Sequence, residues 1–154
     1  MKGKNAIKVA LFLIALILAG SLLSKYHASN EGRQVGDWPE ALREWQEANP
    51  GKEVVVWAEG DLDGDGAEDL VIIYRQHKKC FTRVLIRKGN DYRLLRDMPA
   101  PVENQQIQFR DIDNKPPVEL IISGTKGSEV GYAIYRIEEE GLIDLFAENM
   151  DNCC

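Results

Sequence analysis

The chain has 154 residues, 44% of them hydrophobic and 29% charged, and a formal net charge of −6. This length fits one small domain with short flanking segments. The acidic balance argues against nucleic acid or an anionic lipid surface as a partner, whereas it suits solubility and the binding of cations.

The first segment is hydrophobic. Three lysines, Lys2, Lys4 and Lys8, precede the uncharged apolar run Val9–Leu23. This run is as long as a long signal-peptide core and shorter than the about 20 residues of a membrane span. We therefore interpret 1–28 as a signal peptide or N-terminal membrane anchor and favour a retained anchor with its lysines in the cytoplasm. The body is then extracytoplasmic, either membrane-anchored or secreted, and 29–36 is a linker.

One helix is predicted over Asp37–Asn49. Asp37 is a favourable N-cap, and Pro39 falls in the first turn, where its missing N–H is tolerated. An apolar stripe at helical spacing, suited to packing on a sheet, consists of Trp38, Leu42 and Trp45.

Short β runs follow the helix. The alternation of apolar and polar residues predicts eight strands, namely Glu53–Ala58, Asp69–Arg75, Phe81–Arg87, Tyr92–Arg96, Gln105–Arg110, Glu119–Ser123, Tyr132–Ile137 and Leu142–Ala147. The stretches 89–91 and 140–141 supply turns between them.

These strands form an internal repeat. The stretch 61–63, Asp-Leu-Asp, recurs as Asp-Ile-Asp at 111–113, and 69–73 recurs as 119–123. Because one four-stranded unit cannot cover both of its faces, two units and the helix are expected to bury one core. The prediction is a mainly β domain over 37–148. It consists of two tandem antiparallel four-stranded units, propeller-blade-like or a packed meander, with one covering N-terminal helix.

The loop between the first two strands of the first unit has the composition of a calcium loop. Carboxylates occur at Asp61, Asp63, Asp65 and Asp69, with glycines at 64 and 66. Ca²⁺ takes six to eight oxygen ligands, and the carbonyl of Ala67 could supply one more. The loop leads into a strand, so it is not an EF-hand. The alternative is a plain turn, because Asp and Gly close turns without metal.

The second copy of this loop is degenerate. Lys115 stands where the first copy has Asp65, and two prolines, 116 and 117, replace Gly66 and Ala67. We expect this copy to keep the turn and to have lost the metal.

The chain contains three cysteines. Cys80 lies in an apolar strand and is expected to be buried. Cys153 and Cys154 are adjacent within 149–154, which we predict to be a flexible tail. Two thiolates there can act on one soft metal ion or one disulfide. Neither His27 nor His77 has a partner at ligand spacing, and no catalytic constellation is recognised, so an enzyme is not expected, although thiol redox activity stays open.

Two resemblances follow from these motifs. The acidic loop resembles the Asp-rich hairpin loops of the FG-GAP and VCBS repeats, extracytoplasmic β modules in which the loop holds structural Ca²⁺. The hydrophobic N-terminal segment, the D-x-D-G-D-G loop and the pair Cys153-Cys154 together resemble the Cys-Cys-COOH (seleno)protein family (SaoC) of the proposed selenocysteine-assisted organometal transport systems. This second resemblance implies an accessory protein beside a membrane transporter that handles mercury-like species.

The leading hypothesis is therefore capture or handoff of a soft metal such as Hg²⁺ by Cys153 and Cys154, with a membrane transporter or another thiol protein of the same pathway as partner. One alternative is a thiol–disulfide reductant or oxidoreductase of a partner protein. Another is a calcium-braced extracytoplasmic module that binds proteins.

Overall fold

The computed structural model of the chain describes residues 38–138, 141–148 and 150. The order of elements is one helix, α1 (Glu40–Ala48), followed by nine strands. The strands are β1 (Glu53–Gly60), β2 (Asp69–Gln76), β3 (Lys79–Lys88), β4 (Asp91–Leu94), β5 (Met98–Ala100), β6 (Glu103–Arg110), β7 (Glu119–Lys126), β8 (Glu129–Glu138) and β9 (Gly141–Glu148). The prediction of a mainly β fold is confirmed.

The helix is shorter than predicted at its N-terminus. Pro39 is the N-cap, in an extended conformation and without a side-chain cap hydrogen bond, and the helix begins at Glu40. The predicted cap, Asp37, lies outside the described residues. The prediction that Pro39 sits in the first turn was wrong, since the ring fixes φ there without requiring a helical ψ. Leu42 and Trp45 of the predicted stripe are buried.

The two sheets are antiparallel meanders. The first, sheet A, has the order β1-β2-β3-β4, and β5 pairs with β3 beyond the end of β4. The second, sheet B, has the order β6-β7-β8-β9. Strands β6, β7 and β8 have the bounds of β1, β2 and β3 shifted by fifty residues, so the repeat predicted from the acidic loops extends over whole strands.

Sheet A lies between the helix and sheet B. On one face of sheet A, Leu70, Ile72 and Tyr74 pack with α1. On the other face, Val71 and Ile73 belong to the core shared with Leu120 and Ile122 of sheet B. The arrangement is therefore a three-layer stack of helix, sheet A and sheet B, as expected for two repeats that cannot each bury both faces.

One close approach joins β1 to β6. A Cβ atom on Gly60 would lie 2.8 Å from Cδ2 of the Phe109 ring. Gly60 ends β1 just before the acidic loop, so the absence of a side chain lets the two sheets meet at the base of that loop.

Strand β5 was not predicted. Met98 and Ala100 are buried on either side of exposed Pro99, and Cys80 pairs with Ala100. The sequence pattern did not reveal this strand because it has only three residues and contains a proline. Proline cannot donate an N–H to a sheet, so its presence argues against a strand.

Some predicted segments lie outside the described residues. These are the apolar run 9–23, the linker 29–36, and Cys153 with Cys154. None of the described helices is long and apolar enough to cross a membrane. Met150, in the stretch 149–154 predicted as a flexible tail, is buried in the shared core.

Candidate cation site

The first acidic loop joins β1 to β2 and is folded around Asp61. Its Oδ1 accepts hydrogen bonds from the N–H groups of Gly64 (2.8 Å) and Asp65 (3.1 Å), and its Oδ2 accepts one from Gly66 (2.9 Å). Gly64 and Gly66 have φ of 75° and 86°, a region that favours glycine. The two glycines therefore let the backbone wrap around one carboxylate, as an Asx turn does.

Three carboxylates converge in this loop. Oxygen atoms of Asp61, Asp63 and Asp65 lie within 4.8 Å of one another, close enough to hold one metal ion. Hard cations such as Ca²⁺ prefer this kind of oxygen cage. The structure thus brings together three of the predicted ligands in a group that could hold a metal ion.

A side chain from the neighbouring hairpin already neutralises part of this charge. The Nζ of Lys88, at the end of β3, lies 2.5 Å from Asp63 Oδ2 and 3.2 Å from Asp65 Oδ2. The two carboxylates raise the pKa of the Lys88 ammonium. The N–H of Ala67 and, next, the Lys88 ammonium lower the pKa of the Asp65 carboxyl. The charged forms of Lys88 and Asp65 are therefore both favoured.

Asp63 has an unused oxygen. Its side chain is 13% exposed, and its Oδ1 is buried without a hydrogen-bond partner among the described residues. A buried carboxylate oxygen without a partner destabilises the folded state, because its desolvation is not compensated. Such an atom is therefore a candidate ligand for a cation. A cation bound between Asp61, Asp63 and Asp65 would supply the missing partner.

Asp69 has a different position from the other predicted ligands. It is fully buried, with Oδ2 accepting from the N–H of Leu62 (2.8 Å) and Oδ1 from the N–H of Arg87 (2.8 Å). Burial raises its pKa, and these hydrogen bonds offset only part of that effect. Asp69 fastens the loop to strand β3 and is not one of the three converging carboxylates. Ala67 donates its N–H to Asp65 Oδ1 (2.9 Å), and a ligand role for its carbonyl stays a prediction.

The second loop keeps the same frame with different chemistry. Glu119 is fully buried and its Oε2 accepts from the N–H of Ile112 (2.8 Å), as Asp69 does from Leu62. Carboxylate oxygens of Asp111, Asp113 and Glu119 also lie within 4.8 Å of one another. The turn was correctly predicted to persist, and this loop also contains a group of acids that could hold a metal ion.

The side chain of Arg136, from β8, contacts the acids of the second loop. The guanidinium of Arg136 donates from Nη2 to Asp113 Oδ2 (2.8 Å) and from Nε to Glu119 Oε1 (2.9 Å). Glu119 and then Asp113 raise the pKa of Arg136, and Arg136 lowers the pKa of Asp113. The arginine side chain is 20% exposed, whereas that of Lys88 is 49% exposed. A metal would therefore displace the lysine of the first loop more easily than the arginine of the second.

Sequence reasoning did not find Lys88 or Arg136. Lys88 is 25 residues from Asp63, and Arg136 is 23 residues from Asp113, so neither pair has a local spacing. The signal that could have found them is the strand register, since β3 follows β2 and β8 follows β7 in hairpins.

Cys80 lies in the described part of the chain, and its thiol is buried. Cys80 is free and 1% exposed, which confirms its prediction as a buried strand residue. The amide of Gln105 approaches its Sγ at 3.6 Å. Cys153 and Cys154, the predicted soft-metal or redox residues, lie outside the described part of the chain.

Comparison with known proteins gave no match: no family model, no curated protein and no solved structure is significantly similar to this chain.

Proposed function

We propose that this chain is an extracytoplasmic accessory protein in which a Ca²⁺-stabilised β body presents Cys153 and Cys154 for the capture or handoff of a soft metal. The observation that supports this most is the burial of Cys80 at 1% exposure. Since the sequence has three cysteines, any thiol chemistry with an external ligand falls to the vicinal pair.

The acidic loop supports the calcium part of the proposal. Three carboxylates converge there, and one buried oxygen of Asp63 has no protein partner among the described residues. Oxygen donors on a tight glycine loop match a hard cation, and a cation that binds only the folded loop stabilises the fold by mass action. Ca²⁺ in this role braces the two sheets and takes no part in the thiol chemistry.

The chemistry of the vicinal pair supports the soft-metal part. Thiolates prefer soft ions such as Hg²⁺, and ligand exchange between thiol groups is the natural route of transfer. Met150 is buried in the core, and the four residues after it span at most about 14 Å when extended. A receiving thiol protein or transporter must therefore approach this part of the body closely.

The test is mercury binding by the full chain in detergent micelles. Titration with Hg²⁺ should show tight binding of one ion per chain. Replacing both Cys153 and Cys154 by serine should abolish it while leaving the melting temperature nearly unchanged. Cys80→Ser is the matched control: it should keep the binding and lower stability, because it places a hydroxyl in an apolar core. Mercury binding of parental tightness in the double variant would remove the basis of the proposal.

The alternative of a thiol–disulfide reductant gives a different result in the same preparation. A reductant would reduce a disulfide substrate over repeated cycles when a thiol donor is supplied. The handoff protein would bind Hg²⁺ without such turnover. Turnover that is lost in the double serine variant would therefore favour the redox function.

A further inference from the structure

The outer face of sheet B differs from the other three sheet faces. The described residues place α1 on one face of sheet A and the shared core between the sheets. On the outer face of sheet B, Val130 is 58% exposed and Phe146 is 47% exposed. The side chains there that alternate with the core residues of β7 and β8 are Ile121, Ser123, Tyr132 and Ile134, all partly exposed.

The repeat shows what this face does in its other copy. Fifty residues earlier, the equivalents of Ile121, Tyr132 and Ile134 are Val71, Thr82 and Val84, each at 0% exposure. In sheet A, this face packs against sheet B. In sheet B, the same face keeps its apolar character and adds aromatic surface, since the rings of Tyr132 and Phe146 stack with centroids 5.5 Å apart. The outer face of sheet B is thus the repeat counterpart of a face that the molecule already uses as an interface.

The charge distribution of this face is compatible with contact between two copies of the chain. In a chain of net charge −6, the middle of β7 and β8 has only uncharged side chains on this face, and Arg136 at its end is paired with Asp113 and Glu119. Interface cores are depleted of charged residues and enriched in aromatic ones. Two such faces can therefore meet at their central strands without burying like charges.

We propose that two copies of this chain form a symmetric dimer through the outer faces of their B sheets. A head-to-tail stack would have to place the helix-bearing face of sheet A on sheet B of the next copy. That face is occupied, because Leu42 and Trp45 of α1 are buried on it. An isologous contact, with the same face on both partners, is the arrangement left, and it closes at two copies.

The size of the face is adequate. Four strands about 4.8 Å apart, each rising about 3.3 Å per residue over about eight residues, give a flat area of about 500 Å². Protruding side chains make the accessible area larger than the flat area. The contact therefore approaches the about 800 Å² per partner that is usual for specific complexes.

Site-specific photo-crosslinking in the full chain tests this proposal. Phe146 is replaced by p-benzoylphenylalanine, an aromatic residue that forms a covalent bond to nearby C–H groups on irradiation, in cells that express the chain. The expected product has twice the 17.4 kDa mass of one chain, with the crosslink mapped by mass spectrometry to β8 or β9 of the second copy. The matched control places the same residue at Leu94, which is 53% exposed on sheet A and should give no such product.

A charge on the face separates this dimer from other associations. Val130→Glu should reduce the Phe146 crosslink at least tenfold, because it buries an unpaired carboxylate in the contact. Because Val130 is exposed, the variant should fold as the parent chain does. A comparison of the unfolding midpoints of the variant and the parent checks this. A double-mass product that survives Val130→Glu, a crosslink to a different protein, or no crosslink from Phe146 would each overturn the proposal.

Discussion

Lys88 and Arg136 show how one loop frame can hold different cations. Each projects from the third strand of its repeat onto the acidic loop, but from a different position: Lys88 is the last residue of β3, whereas Arg136 lies two residues before the end of β8. Lys88 aligns with Glu138, and Arg136 aligns with Ile86.

The lysine ammonium contacts Asp63 and Asp65, whereas the arginine bridges Asp113 and buried Glu119. The lysine pairs are exposed and monodentate, and such pairs are weak. Lys88 is thus a tethered competitor for the cation that we propose at the first loop.

Lys88→Met tests this competition. The substitution keeps the length of the aliphatic side chain and removes the ammonium, so a metal no longer has to displace a charge from Asp63 and Asp65. Calcium should bind about three- to tenfold more tightly, as measured by calorimetric titration of the full chain.

Lys115→Met is the control for Lys88→Met. Lys115 lies 3.9 Å from Asp113 on the second loop and its side chain is 75% exposed, so calcium affinity should not change. Unchanged or weaker calcium binding in Lys88→Met would contradict the competition.

The two central hairpins differ in their turns. Between β2 and β3, His77 and Lys78 both have positive φ, 49° and 68°, the pattern of a type I′ turn. Between β7 and β8, Gly127 has a φ of 60°, and Ser128 is not among the residues with positive φ. The first hairpin therefore holds two non-glycine residues in the left-handed region, and the second places a glycine where that region is needed.

Lys78→Gly should stabilise the protein by about 0.5–1 kcal/mol, because an L residue pays about 1–2 kcal/mol for this conformation and glycine pays little. Urea unfolding measures the change. Ser128→Gly, at the equivalent position of the second repeat, is the control and should bring no gain. Equal gains in both variants would show that the turn conformation is not the cause.

Patterns that repeat along the chain were predicted well at the scale of elements. The fifty-residue offset and the alternation of apolar residues located eight of the nine strands, since both signals are local. β5 was missed because its pairing with Cys80 and Phe81 is set by the tertiary fold. The start of the helix was misplaced because Pro39 permits both a cap and a first turn.

The candidate site was only partly predictable for the same reason. Asp61, Asp63 and Asp65 are close in sequence, and their convergence follows from the loop. The inward turn of Asp69 depends on the N–H of Arg87 in another strand, which composition alone does not reveal. The pairing of Lys88 with the loop likewise depends on the register of β2 and β3.

At the scale of the whole molecule, the helix and two sheets form a stack, and the two sheets approach each other closely beside the first acidic loop. Gly60 and Phe109 touch where β1 enters the first loop, and Asp69 ties that loop to β3. A cation that orders the loop thus stabilises both the hairpins of sheet A and its contact with sheet B. Calcium binding should therefore raise the stability of the entire fold and not only order the loop.

The most direct measurement is the melting temperature of the full chain with and without Ca²⁺. At a concentration about a hundredfold above the dissociation constant, binding to the folded state contributes about 2.7 kcal/mol. For a body of this size, the melting temperature should rise by about 10 °C. Asp63→Asn should abolish the rise, and Asp113→Asn in the second loop should retain it. No calcium-dependent rise at millimolar Ca²⁺, or a rise that Asp63→Asn leaves intact, would contradict the account.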